Sequence, residues 1–281
     1  MDSQVEKTEA VNTLSYAGKP VLLDVIRTER QAFFDLIGNP QNWNVQTRCA
    51  EWQTGDIVGH MIDTTEGYLQ RWEMARKGEH PEILNLVVMA DEANKGALRF
   101  RNLSREEAVE RLKEASNKMM AIFEGLSEDD WNNYIVEHRY MGPLPAFFYP
   151  AFQVMDYGVH TWDIRYGLGD KIGKLDERTA GVLIPYMFIL MQNTVDAESA
   201  RGLNAEYGIE ISSPWGGKWR VNVGDSKFNY TPEEGDFDGC EAVFSFDPSD
   251  FVLTSFLRFP GGAARGDPEV IHRVRNMFFR I

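Results

Sequence analysis

Cysteine is scarce in this chain: of 281 residues only Cys49 and Cys240 are cysteines. They lie far apart without C-x-x-C spacing, which argues against a disulfide framework and against a cysteine-ligated zinc site, and fits reduced thiols in a cytoplasm. Positive charge is also short. Against 43 acidic residues stand 29 basic ones, a formal net charge of −14 that repels phosphate backbones and anionic membrane surfaces, so neither nucleic acid nor membrane is an expected partner. Long apolar runs are missing too. The longest, "VLIPYMFILM" from Val182 to Met191, is about half of the ~20 residues a membrane span requires and reads as a buried helix. The start, "MDSQVEKTEAVNTLS", is polar and acidic and lacks the basic-then-apolar order of a signal peptide, so export is not expected. There is no internal repeat and no low-complexity tract. What is present is 43% apolar and 12% aromatic residues, ample for well-formed cores in one large or two ordinary domains.

The first 170 residues carry helical punctuation. Val21, Leu22, Val25, Ile26, Phe33, Leu36 and Ile37 make one apolar stripe that "GNP" at 38–40 ends. A second helix starts near Thr54 as N-cap and runs through Ile57, Val58, Met61, Ile62, Tyr68, Leu69 and Trp72 to "RKG" at 76–78, with His60 in its second turn. A third opens on a capping box, Ser104 and Glu107, and closes at Gly125. The fourth covers roughly Pro145 to Arg165, with Pro150 expected to kink or restart it and Gly167 and Gly169 to end it. Between helices two and three, residues 79–103 form a long crossover with room for a short helix around Val87 to Lys95. Four long helices in this order predict a bundle over residues 1–170.

After about residue 205 the pattern becomes short alternating runs, "YGIEISS", "KWRVNVG", "SKFNYTP" and "CEAVFSF", separated by turn residues, which predicts an antiparallel sheet. Two helices follow, at 247–259 and 267–280, each opened by Asp-Pro. The predicted fold class is therefore two-domain α+β: a helical bundle over 1–170, a connecting helix within 171–204 opened by Asp176, and a small α+β domain over 205–281.

The segment "QVMDYGVHTWDI", 153–164, places Asp156 and His160 one helical turn apart on a single face. With His60 from helix two, they make three nitrogen and oxygen donors, the pattern of an open catalytic zinc site with one position left for water or substrate. The competing reading is a hydrogen-bonded polar pair in a core. Asp163 either orients a ligand or caps and salt-bridges the helix end. Trp52 and Trp162 read as core, and Asp56 in the first turn of its helix is explained by the helix dipole. His80, His138 and His272 read as structural or exposed, and Cys49 as buried packing with no histidine placed to activate it.

"WNVQTRCAEWQTGDIVGHMID" at 43–63 resembles the start of the metal-binding domain of mycothiol-dependent maleylpyruvate isomerases, within the DinB-like superfamily. "DYGVHTWDIRYGLG" at 156–169 is similar to that family's acid-x-x-x-His-x-x-Asp stretch, and "GCEAVFSFDPSDFVLTSFLRF...ARGDPEVIHRV" resembles the sterol-carrier-like domain often appended to it. The resemblance thus implies a DinB-like four-helix bundle followed by a sterol-carrier-like domain. It further implies zinc held by His60, Asp156 and His160, with mycothiol or a similar small thiol as cofactor. The family's best-known members carry glutamate where this chain has Asp156, so helix placement has to offset one methylene.

An open metal site deprotonates a bound thiol outright, whereas a free thiol with pKa near 8.5 is only slightly ionised at neutral pH. The family's reaction, as the resemblance implies, adds that sulfur to a conjugated cis double bond, allows rotation, and expels it to leave the trans isomer. Arg258 in "TSFLRFPGG" occupies a place similar to a carboxy-terminal arginine of the family and is the expected catalytic anchor for an electrophilic or carboxylate substrate; the alternative is a solvated surface arginine. Two further readings stay open: a thiol S-transferase acting on an electrophilic metabolite, and a non-catalytic protein holding a small apolar ligand near Phe251, Phe256 and Phe259.

Overall fold

The computed structural model describes residues 12–281; the reading of the chain's first residues as a polar, non-exported start falls, for residues 1–11, outside them. Four long helices, α1 (Lys19–Gly38), α2 (Thr54–Arg76), α4 (Arg105–Gly125) and α6 (Phe148–Gly167), pack as a bundle, α1 against α6 and α2 against α4, with α1–α4 and α2–α6 contacts closing the square. The crossover holds α3 (Met89–Leu98), which lies on α2. Gly59 permits that approach, since a Cβ there would sit 2.4 Å from the Ala97 carbonyl oxygen. The residue after Gly59 is His60, so the close helix crossing lies directly over the candidate site.

Local signals account for most element boundaries. Ser104 and Glu107 form the predicted capping box of α4, and Asp176 caps α7 (Glu177–Asn193) through the N–H groups of Arg178 and Thr179. Two details differ. The N-cap of α2 is Gln53, in a capping box with Asp56, and Thr54 is the first helical residue. Pro150 falls in the first turn of α6, where no intrahelical donor is lost, so it neither kinks nor restarts the helix. Between the short helix α5 (Glu128–Asn133) and α6 lies a two-stranded hairpin, β1 (Ile135–His138) with β2 (Gly142–Pro145). Its strands are only four residues each, too short for alternation to announce them.

The carboxy-terminal half is a five-stranded sheet in the order β5-β4-β3-β6-β7, made of β3 (Ala205–Ile211), β4 (Lys218–Gly224), β5 (Lys227–Pro232), β6 (Ala242–Phe246) and β7 (Ala263–Gly266). The expected antiparallel sheet is mixed: β3 and β6 pair parallel, Ile209 opposite Phe244. Alternating strands look alike whichever way their neighbour runs, and the long connection from β3 through the β4–β5 hairpin to β6 sets the direction. Helix α8 (Pro248–Ser255) and helix α9 (Pro268–Arg275) are shorter than their sequence spans suggest. Helix α7 packs on α1 and α6 on one side and on β5 and α8 on the other. Among the described residues, no helix is long and apolar enough to cross a membrane.

Candidate metal centre

The second turn of α2 delivers His60, and the middle of α6 delivers Asp156 and His160 one turn apart. One donor atom from each of the three lies within 4.8 Å of the others. His60 Nε2 stands 4.0 Å from Asp156 Oδ1, and the two imidazole rings are 5.0 Å apart, nearly perpendicular at 78°. A tetrahedral ion with bonds of about 2.0–2.2 Å sets its donors roughly 3.3–3.6 Å apart. Donors that already lie within 4.8 Å of one another would have to draw somewhat closer to reach coordinating distance, and the chemistry of two imidazoles and a carboxylate suits zinc. Helices α2 and α6 are in contact, and the Asp156 carboxylate faces the His60 ring across them.

His60 and Asp156 are in the protonation states this use needs near neutral pH, whereas His160 holds a proton that a metal would have to displace. Burial, reinforced by the charges of His160 and Arg258, keeps the pKa of His60 well below the ordinary histidine value, so its imidazole is neutral and available as a donor. Burial pushes the Asp156 carboxyl up to about 6, a rise that His160 and Gln153 limit. For His160 burial opposes the proton, but Asp163 and Cys49 outweigh it and raise the pKa to about 9.

Behind His160 sits a buried polar cluster. Asp163 is fully buried and lies 3.0 Å from His160 Nδ1 through Oδ2, which directs the other ring nitrogen toward His60 and Asp156, the arrangement that orients histidines in carboxylate–histidine–metal triads. Arg258 donates to the same carboxylate in bidentate fashion, Nε to Oδ1 at 2.9 Å and Nη2 to Oδ2 at 3.0 Å, and the Cys49 thiol donates to Oδ2 at 3.3 Å. Burial works against ionising Asp163, yet Arg258 and His160 hold its pKa down at about 2. His60 has no comparable brace: its Nδ1 is buried without a partner among the described residues. Cys49, His160 and Asp163 form a second cluster of possible ligands, but Arg258 already neutralises its carboxylate, and a cation there would meet the guanidinium charge.

Several sequence expectations change. Cys49 does have a histidine beside it, His160, supplied by a helix more than a hundred residues away. Trp52 is no simple core residue: its ring lies 4.9 Å from that of His60 and 6.0 Å from that of His160, and its Nε1 donates to Asn94 Oδ1 of α3 at 2.8 Å. Arg258 is not a solvated surface arginine. The left-handed backbone at Leu257, φ 53°, turns the chain after α8 back toward the bundle, and the guanidinium is spent on Asp163. Asp56 faces away, pairing with Arg101 at 2.7 Å. His138 is buried in an aromatic cluster with Tyr68 and Phe152, whereas His80 is exposed and pairs with Glu137.

The three donors stand between two cavities. A larger one of about 640 Å³ runs along α2 and is lined by His60, Tyr68, Arg71, His138, Arg139 and Asp156. A smaller one of about 180 Å³ reaches Cys49, Trp52, His160, Phe256 and Arg258; both touch His60, Asp156, Met89 and Ala93. Arg71 escaped the sequence reading and Tyr68 figured in it only as part of the stripe of helix two, although the signal was present: they follow His60 by eight and eleven residues, one helical face. A third cavity of about 370 Å³ in the sheet half is lined by Phe251 and Phe259, while Phe256 belongs to the smaller cavity at the candidate site.

Residues 26–165 match the family described as the mycothiol maleylpyruvate isomerase N-terminal domain. Among solved structures, a mycothiol-dependent maleylpyruvate isomerase is similar with a TM-score of 0.59 at 14% identity, over 89% of this chain and 94% of that one. A histidine-to-alanine mutant of a mycothiol-dependent maleylpyruvate isomerase gives 0.60 at 14% identity with the same coverage. The colibactin self-resistance protein ClbS, in complex with a dsDNA, is similar over 54% of this chain and 96% of that one, at 16% identity and a TM-score of 0.47. No curated protein matches the sequence. The likeness at 14% identity shows that the helical region followed by a mixed-sheet domain is a shared fold. Through residues 26–165, the chain belongs to the mycothiol maleylpyruvate isomerase family.

Proposed function

We propose that this protein is a zinc-dependent enzyme that uses a low-molecular-weight thiol such as mycothiol to isomerise a cis double bond, in the manner of a maleylpyruvate isomerase. One observation carries the reading: His60, Asp156 and His160 converge between two cavities, with His160 braced from behind by Asp163. A zinc ion held there supplies Lewis acidity that lowers the pKa of a thiol. The chain's own residues do the rest. His60 presents a neutral imidazole, Asp156 a carboxylate whose raised pKa a cation would depress, and Asp163 holds the Nδ1 side of His160, so that its other ring nitrogen, once a cation displaces the proton there, would face the metal. Trp52 covers the imidazoles from one side and limits water, which strengthens every charge interaction beneath it. Arg258 acts through Asp163; in this reading it positions the site and contributes positive charge to the wall of the smaller cavity. The bundle is then the catalytic part, α7 the joint, and residues 205–281 the part that supplies Arg258.

Elemental analysis of the purified protein tests the metal. Near-stoichiometric zinc that disappears in His160→Ala, together with thiol-dependent turnover, is the expected result; a fully folded, metal-free native protein without turnover overturns the reading. Incubation with a thiol and an electrophile, followed by mass spectrometry, separates isomerase from S-transferase: free thiol is recovered in the first case and conjugate accumulates in the second. The apolar cavity bounded by Phe251 and Phe259 supports the second reading, a binder of small apolar ligands, which gains if the protein is metal-free.

A further inference from the structure

The larger cavity holds an unusual concentration of cations for an acidic protein. Arg71, Arg99, Arg111 and Arg139 all line it. Three of them are neutralised: Arg99 pairs with Asp63, Arg111 grips Glu66 in bidentate fashion at 2.6 and 2.8 Å, and Arg139 reaches Glu92 at 3.0 Å. Arg71 makes no ion pair among the described residues. Its Nη2 donates to the Glu82 carbonyl at 3.1 Å, and its Nη1 is shielded from solvent without any acceptor. Leaving a charged donor unpaired and shielded is costly, and such a group calls for an explanation. Burial lowers the pKa of Arg71, an effect that Arg139 adds to and that Tyr149, Glu137 and Tyr140 oppose.

Position gives the unpaired guanidinium a meaning. His60, Thr64, Gly67, Tyr68 and Arg71 share one face of α2, and all line the cavity. Eleven residues of helix separate His60 from Arg71 by about 16 Å along the axis. The cavity is thus a trough, with the candidate metal ligands at one end and an unmatched positive charge at the other.

We propose that Arg71 is an anion anchor at the far end of this cleft, so that the molecule lying along α2 is extended and carries a carboxylate remote from the atom that reacts at His60 and Asp156. The identity of the reacting end rests on the function proposed above; the anion site itself does not. The carboxylate belongs to the electrophile where the thiol is mycothiol, which carries none, and to either partner where the thiol bears a carboxylate as glutathione does; a guanidinium fork recognises it in the same bidentate way from both sources.

Binding to the metal-free protein tests this without any turnover. Isothermal titration is performed with glutathione and its diethyl ester as thiol probes, and with suberate and its dimethyl ester as probes of an electrophile-like diacid. The expected result is that at least one acid binds about tenfold or more tighter than its ester, that Arg71→Gln removes this preference, and that Arg71→Lys restores part of it. The pair showing the preference identifies the source of the carboxylate. Equal binding of acid and ester in the wild-type protein, absence of binding by both acids, or an undiminished preference in Arg71→Gln overturns the proposal. If Arg71→Gln does not fold, the wild-type comparison together with Arg71→Lys decides: a preference unchanged in Arg71→Lys counts against the anchor. Should zinc analysis fail while the Arg71-dependent preference holds, the metal reading falls and the anchor stands.

Discussion

The two halves of the molecule treat buried polarity in opposite ways. Within the helical half Lys19, Glu29, Asp56, His138, His160 and Asp163 are all buried. In the sheet half, from residue 205 onward, no acidic, basic or imidazole side chain is buried among the described residues, and the core is built from groups such as Ile209, Val221, Val223, Phe228 and Phe251. Buried ionisable groups are poor stabilisers, because desolvation consumes most of what pairing returns. The helical half keeps six of them, of which His160 and Asp163 join in one cluster at the candidate site while Lys19, Glu29, Asp56 and His138 have separate partners, and the sheet half is built by apolar packing. Arg258 is the exception that joins them: it comes from the sheet half and is used by the helical one.

The sharpest way to break this contrast is Asp163→Ala. It strands Arg258 and His160 without their common carboxylate, and urea denaturation is expected to show a loss of about 3–5 kcal/mol. A loss below about 1 kcal/mol, the scale of an exposed ion pair, would mean that the cluster is not electrostatically coupled.

His138 offers a pH test of the same half. Burial, with a smaller contribution from Arg71, depresses its pKa from the usual 6.5 to about 4, and its Nδ1 accepts the N–H groups of Tyr140 and Met141. A lowered histidine pKa means that the unfolded chain binds the proton more readily. The stabilisation is therefore complete above about pH 6.5 and is lost progressively as pH falls toward 4, amounting to about 3 kcal/mol across that window. Stability of the wild type relative to His138→Gln, measured by denaturant titration from pH 7 to 4, should fall by that order; parallel profiles would place His138 in a solvated environment.

A double variant, Asp163→Leu with Arg258→Met, separates stability from chemistry. Replacing the pair by apolar groups of similar size should return stability to within about 1 kcal/mol of wild type, while zinc affinity, read by competition with a chromogenic chelator, drops about 10- to 100-fold because His160 loses its brace. Unchanged zinc affinity would show that Asp163 serves packing alone. The smallest effect is expected in the sheet half, where the buried Tyr207 hydroxyl has no hydrogen-bond partner among the described residues. Tyr207→Phe should leave stability unchanged or raise it by up to about 1 kcal/mol in thermal or urea unfolding, and a loss of that size would reveal a partner for the hydroxyl.

Particular residues show where sequence reading stopped. Capping residues Ser104 and Asp176 and the stripe from Val21 to Ile37 announced their helices, because a helix is specified by neighbours three and four positions away. Asp156 and His160 were visible as a pair for the same reason. The roles of Cys49, Trp52 and Asp163 were not, since each depends on a partner from a distant segment: the Cys49–Asp163 contact spans 114 residues and the Asp163–Arg258 pair 95. Arg71 was passed over because an arginine is ordinary on a helix surface, and only the pairing of its three neighbours makes it stand out.

By itself, then, the sequence determined the order of the helices and the change to alternating strands near residue 205, both of which rest on local periodicity and short motifs, and it offered His60, Asp156 and His160 as candidate ligands through spacing and family resemblance. Tertiary structure alone decided the parallel pairing of β3 with β6, the bidentate pairing of Arg258 with Asp163, and the cleft that runs from His60 to Arg71. Strand direction, desolvation and cavity shape arise from segments meeting across the chain, and no window of neighbouring residues contains that information.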